Sequence, residues 1–241
     1  MDRKPLAAPS GFRAVCRVLG IAVAFTSGCS SPPEETLLSQ FFRAIAQEDR
    51  VTAAGMSMAA FPGGPVESWE IVEVGPVTEG PYRVPELREE ETAAEAARDE
   101  QFKVFYDFRQ ANQEALAAIT DRRDGNPDAA IGGRLGEVAD AWDAHSVERR
   151  RLVSSLSEVQ MALEEERRRA QRSLLREAPV DYLAGNISEQ ELLVRTVEEG
   201  AGREYRFVLI RYDLQNQHGA EVASRWIIAA IEAATETTSP P

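Results

Sequence analysis

The sequence predicts an α+β protein: an antiparallel sheet covered by an N-terminal helix, with a long inserted antiparallel helical hairpin of coiled-coil character. Three observations predict it. Apolar residues recur at helical spacing over 36–58, and a β-branched and aromatic run follows over 66–77. The stretch 86–178 has almost no β-branched runs and is dominated by Ala, Glu, Arg, Gln and Leu, which is helix-forming composition. From 179 onward strand-like apolar runs return, separated by turn residues. Neither outer part makes a sheet alone. Together, 36–85 and 179–234 supply one helix and four or five strands, enough for a layered domain.

The first element is an address. Arg3, Lys4, Arg13 and Arg17 stand against Asp2 alone, and the eight residues Val18 to Phe25 are apolar. A bilayer-spanning helix needs about 20 apolar residues, so this run is too short to span. A basic start, a short apolar run and small residues after it describe a signal peptide over 1–28. Thr26-Ser27-Gly28 is followed at once by Cys29. This resembles the bacterial lipobox, in which a small residue precedes the cysteine that becomes the new N-terminus. The resemblance implies that Cys29 carries a diacylglyceryl thioether and that acyl chains hold the protein on a membrane. Thr26 stands where the pattern usually has an apolar residue. Two or three acyl chains meet the requirement for stable anchoring. Residues 29–35 then read as a short lipidated tether.

Helix and strand readings follow in order. Residues 36–58 carry Leu37, Leu38, Phe41, Phe42, Ile45 and Ala46 at 3–4 spacing, with Thr36 as the cap. Phe61-Pro62-Gly63-Gly64-Pro65 breaks the chain, and Trp69, Ile71, Val72, Val74 and Val77 form a strand. Two helices are expected over 87–123 and 131–177, parted at Asp124-Gly125-Asn126-Pro127. The second carries a seam in alternating steps of 3 and 4: Leu135, Val138, Trp142, His145, Arg149, Leu152, Leu156, Val159, Leu163, Glu166, Ala170. Phe102, Phe105, Phe108 or Arg109, Asn112, Leu116 and Ile119 are the residues of the first helix that could face it. Strands are expected over 179–187, 189–198, 203–213 and 222–231, with hairpin loops at 199–202 and 215–219 and a polar tail over 235–241.

The outer parts resemble the nuclear transport factor 2-like (cystatin-like) α+β cone. The residues that carry this are the opening Phe41-Phe42-Arg43-Ala44-Ile45 with Glu48-Asp49, and the closing pair Tyr205-Arg206-Phe207-Val208-Leu209 and Arg225-Trp226-Ile227-Ile228. The resemblance implies a curved sheet with an apolar interior, which Trp69, Tyr205, Phe207 and Trp226 would line. The superfamily includes enzymes and binding modules alike, and fold alone does not license function.

Composition narrows the chemistry. The 241 residues hold 40 acidic and 27 basic side chains, a net charge of −13, with two cysteines and two histidines. Removing residues 1–28 takes away four basic residues and one acidic residue, leaving −16 over 213 residues and one cysteine. Such a balance disfavours non-specific nucleic-acid binding. Two cysteines and two histidines cannot build an all-cysteine or three-histidine zinc site, so no metal or cofactor is expected. Ile131-Gly132-Gly133-Arg134-Leu135-Gly136 lacks the Lys-Ser/Thr of a P-loop, and no nucleophile elbow occurs. His145 is expected to pair with acidic neighbours across the two helices, and His218 to lie in a surface turn. Glu164-Glu165-Glu166 with Arg167-Arg168-Arg169 reads as a solvated face laced by i,i+3 and i,i+4 pairs. Phe102, Phe105, Tyr106 and Phe108 read as packing, or as a partner-binding stripe. The chemistry therefore points away from an enzyme. The expected protein is lipid-anchored in the cell envelope, on the outer membrane or the periplasmic face, and binds or scaffolds a partner, or a second copy, through 86–178. The alternative is a small-ligand binder using the interior of the cone.

Overall fold

The computed structural model describes residues 32–126 and 130–234. The proposed signal peptide, Cys29 and the tail lie outside them. Among the described residues the fold is mixed α+β, with five α-helices and a five-stranded antiparallel sheet.

Helix α1 (Pro33–Ala46) begins inside the segment read as a tether. Pro33 is pre-set for a first turn, and Glu34 and Glu35 complement the positive end of the helix. The single helix expected over 36–58 is two. Glu48 takes a left-handed φ of 55°, and the Asp49 carboxylate accepts from the Thr52 amide at 3.0 Å, capping α2 (Arg50–Met56). Strand β1 (Val66–Pro81) continues four residues beyond the run expected over 66–77. It is an edge strand with three register shifts, where Pro76 and Pro81 cost no central ladder bond.

Helix α3 (Val84–Ala111) ends at Asn112, and α4 (Gln113–Gly125) continues at a break where one helix was expected. The Asn112 side chain donates to the Phe108 carbonyl at 2.9 Å, a local bond that competes with helix continuation. Helix α5 (Gly133–Ser173) spans 41 residues, about 60 Å at ~1.5 Å each. Gly136, in its first turn, allows close approach of the backbone: a Cβ there would sit 2.5 Å from the Ile131 carbonyl oxygen.

The strands after α5 are longer than expected. Val180–Tyr182 is a 3-10 turn, and β2 (Ala184–Glu198) joins two expected strands into one. Glu199 and Gly200 both have positive φ, which closes a two-residue hairpin into β3 (Ala201–Gln215). The last expected strand is split into β4 (Glu221–Val222) and β5 (Ile227–Ala233). The cause is the end of α5. Arg225 donates its amide to Ser173 O at 2.8 Å, and Leu175 donates to Ala223 O at 3.0 Å, so these backbone groups bond to the helix end instead of to β3.

The order is β1-β2-β3, with β4 and β5 both on the far side of β3. Side chains on β3 alternate between faces. Tyr205, Phe207 and Leu209 join Leu192, Val194 and Ile228 in one core with Leu38, Phe41 and Phe42 of α1. Ile210, Tyr212 and Leu214 point the other way, into a core with Val84 and Leu87 of α3 and Leu163 and Ala170 of α5. Each fully buried large side chain contributes roughly 1.5–3 kcal/mol. The sheet is thus packed on opposite faces at opposite ends.

Candidate functional site

Trp69, Tyr205 and Phe207 do come together, but among rings that fill the space between them. Phe42 stacks on Trp69 at 5.4 Å and meets Phe207 edge-on at 5.8 Å. Phe61 lies 5.0 Å from Tyr205, and Phe41 lies 6.3 Å from Phe207. Phe207 is fully buried. Trp226 is half-buried at the margin of this core, with the Arg211 guanidinium 5.1 Å over its ring.

The helical region builds a second aromatic layer. Pairs at Phe105–Trp142 and Glu91–Gln160 run in opposite order along α3 and α5, so the two helices are antiparallel neighbours. Phe105 is buried, with Trp142 at 4.8 Å and the Arg149 guanidinium 5.0 Å over its face. Among the described residues His145 has no acidic partner, contrary to expectation. Its Nδ1 is 3.1 Å from Gln101 Nε2, and its ring lies 4.9 Å from Phe108. Polar and aromatic groups on the α3 seam occupy the place that a carboxylate was expected to take. The buried and half-buried positions of α3 run 84, 87, 91, 94, 98, 101, 105, 108, 112, a strict alternation of 3 and 4. Phe102 and Tyr106 stand one residue off that seam and are 59% and 52% exposed. The aromatic cluster therefore divides: Phe105 and Phe108 pack, while Phe102 and Tyr106 face solvent.

Two carboxylates sit at the junctions. Glu166 leaves the solvated face expected of its run: it is 8% exposed, and its Oε1 has no hydrogen-bond partner. Burial pushes its carboxyl up, opposed by Tyr212, Arg169 and the Arg83 main chain. Burial likewise raises the Tyr82 and Tyr212 hydroxyls, reinforced by the charge of Glu166. Its neighbours in sequence behave as expected, since Glu164 pairs with Arg167 at 2.6 Å and Glu165 pairs with Arg169. Glu198, also buried, behaves oppositely. Burial alone would raise its carboxyl, but hydrogen bonds from Thr196, the Gly64 amide and Tyr205, with the charge of Arg203, outweigh it and hold it low. Nothing in the sequence reading singled out Glu198. The buried role of Glu166 was partly readable, because it shares a helical stripe with Leu163, Ala170 and Ser173.

Asn186 and Ser188 lie within β2, where Ser188 is buried and donates to Asp213 at 2.8 Å. Among the described residues, no three of His, Cys, Asp and Glu converge as metal ligands. No described helix is long and apolar enough to cross a membrane. No protein-family model, curated protein or solved structure matches the chain.

Proposed function

We propose that this chain is a lipid-anchored protein of the cell envelope, held on an acylated Cys29, that binds or scaffolds a protein partner through a helical hairpin formed by α3, α4 and α5. The body would be a cone-like sheet covered by α1, of the nuclear transport factor 2-like kind. The order helix, strand, helical pair, antiparallel strands supports that reading. One observation carries the partner-binding role: Phe102 and Tyr106 hold more than half of their surface in solvent, one turn apart, on a helix whose own seam is already made. Paired exposed aromatics at the centre of a polar surface are the anchors that protein interfaces use.

The test is crosslinking in envelope membranes and light scattering of a Cys29→Ser form, with Phe102→Ser/Tyr106→Ser as the comparison. A discrete crosslinked partner, or a dimer, that disappears in the double variant supports the reading. A strictly monomeric protein without an envelope partner overturns it. Palmitate labelling checks the anchor: label that persists in Cys29→Ser removes Cys29 from the account. The alternative of a ligand held by Trp69, Tyr205, Phe207 and Trp226 has less support, because aromatic side chains occupy the space beside three of the four.

A further inference from the structure

We infer that a cleft between α1, α2 and the C-terminal end of α5 binds a single-chain anionic amphiphile, an alkyl carboxylate of the fatty-acid type. The cleft encloses about 660 Å3, within the roughly 300–1,000 Å3 of small-molecule sites. It adjoins the ring-filled interior through Phe41 and Phe61, but Trp69, Tyr205, Phe207 and Trp226 do not line it. Its wall is apolar and largely small. Ala53, Ala54 and Ala60 line it with Ile45, Met58 and Phe61. Methyl groups on both α2 and the following loop leave a space that larger side chains would have closed, and an alkyl chain suits a space of that lining.

The charge at the mouth selects the head group. A shallower depression of about 580 Å3 shares Arg50, Ala54 and Arg172 with the cleft and adds Arg225. Three guanidinium groups and no carboxylate line that depression, in a chain of net charge −13. Two of them are held in place by the end of α2. Arg172 donates to the carbonyls of Ala54 and Ser57, and Arg225 donates to Gly55 O at 2.9 Å. Helix C-terminal carbonyls need such donors. Each guanidinium carries five N–H groups, so donors remain on both. Arg50 is different: its side chain has no hydrogen bond or ion pair among the described residues.

On the other side of the cleft stand Glu48 and Asp49. The Asp49 carboxylate is taken by the Thr52 amide and hydroxyl, at 3.0 and 2.6 Å. Within the cleft two carboxylates thus balance Arg50 and Arg172, and the excess of positive charge lies in the adjoining depression, where Arg225 joins them and no carboxylate does. Val51, next to Arg50, is 85% exposed and carries apolar surface out to the lip. An alkyl carboxylate would lay its chain among the alanines and its head against Arg50 and Arg172. A cationic head would meet like charge there.

The experiment titrates the full-length chain, carrying Cys29→Ser so that it has no acyl group of its own, with dodecanoate below its micellar concentration, by calorimetry. Saturable one-to-one binding is expected. Loss of one charged hydrogen-bonding partner in Arg50→Gln should weaken it about tenfold. Ala54→Phe and Ala60→Trp introduce bulk at two exposed wall positions and should each abolish it, while circular dichroism stays that of the parent. Dodecyltrimethylammonium should bind at least about tenfold more weakly than dodecanoate. Absence of saturable binding overturns the site, as does binding that survives both wall variants. Equal binding of the cationic amphiphile overturns the head-group assignment. Binding to phosphatidylglycerol vesicles without binding to dodecanoate overturns the proposal in favour of a membrane contact.

Discussion

Glu166→Gln should make this protein more stable at neutral pH. The carboxylate is 8% exposed, and its Oε1 finds no donor. A buried polar atom without a partner costs about 1–3 kcal/mol. Glutamine has the same shape, no charge to desolvate, and still offers a carbonyl oxygen to Tyr212 and the Arg83 main chain. Its amide adds donors, and Arg169 loses only part of its attraction. The expected gain is therefore about 1–2 kcal/mol at pH 7–8, roughly 2–8 °C in Tm for a chain of this size. The pH dependence follows from the direction of the shift. The folded carboxyl sits above its ordinary 4.5 because burial disfavours the charge. Its favourable contribution is complete below that value, where it is protonated in both states, and is lost as pH rises through the folded value. The variant lacks this slope, so the two proteins should converge near pH 4 and separate above it. Urea denaturation followed by circular dichroism from pH 4 to 8 measures this directly. If Glu166→Gln is destabilising at pH 7, or if the gap widens on acidification, the bonds from Tyr212, Arg83 and Arg169 outweigh desolvation and the reasoning fails.

Ser173→Ala should cost about 1–3 kcal/mol, because the fully buried hydroxyl donates to Arg225 O at 2.7 Å and accepts from the Tyr212 amide at 3.2 Å, which would be left unpaired. Amide exchange at Tyr212 should accelerate in that variant and remain unchanged in β1. Gly63→Ala should destabilise by about 1–3 kcal/mol through overpacking, since the new Cβ would stand 2.6 Å from both Glu198 Oε1 and the Phe61 ring; thermal denaturation reads it. Glu198→Gln should flatten the acid limb of the stability curve: the folded carboxyl lies below 4.5, so its contribution is present above that value and is lost as pH falls through the folded one. Phe207→Ala, at a fully buried ring packed against Phe41 and Phe42, should cost about 3–5 kcal/mol in urea denaturation.

What the sequence made legible follows from periodicity. The 3–4 steps of α5 and the alternation in β3 are long enough to survive local exceptions, and both elements stand where those patterns put them. Boundaries were lost where one residue decides them. Glu48 and Asp49 cut the first helix by backbone geometry and a capping bond, and Asn112 cuts α3 from α4 through its own side chain. The split of the last strand could not be read locally at all. It is imposed from Ser173, 52 residues before Arg225, and no pattern within 222–231 carries that information. The aromatic stripe was misassigned in part by one helical step, since seam position 101 is a glutamine and Phe102 stands beside it. The basic mouth of the cleft was invisible for a different reason: Arg50, Arg172 and Arg225 belong to three elements, and only the tertiary fold gathers them.

The seam of the helical pair is uneven, and that unevenness bears on how the pair could work. At its base, Val84 and Leu87 meet the Leu163 and Ala170 stripe against Tyr212 and Leu214 of the sheet, and Ser173 ties the end of α5 into the strands. Further out, between the Glu91–Gln160 and Gln101–His145 contacts, α3 offers Ala94 and Arg98 while α5 offers Leu152 and Leu156. One side of that stretch is apolar and the other is small or polar, so burial there gives less free energy per residue than at the base. Regions with few buried apolar contacts open first. The aromatic layer at Phe105 and Trp142 then closes the pair again beyond it. The base of the pair, tied into the sheet, is therefore expected to exchange its backbone amides more slowly than the stretch around Ala94 and Arg98.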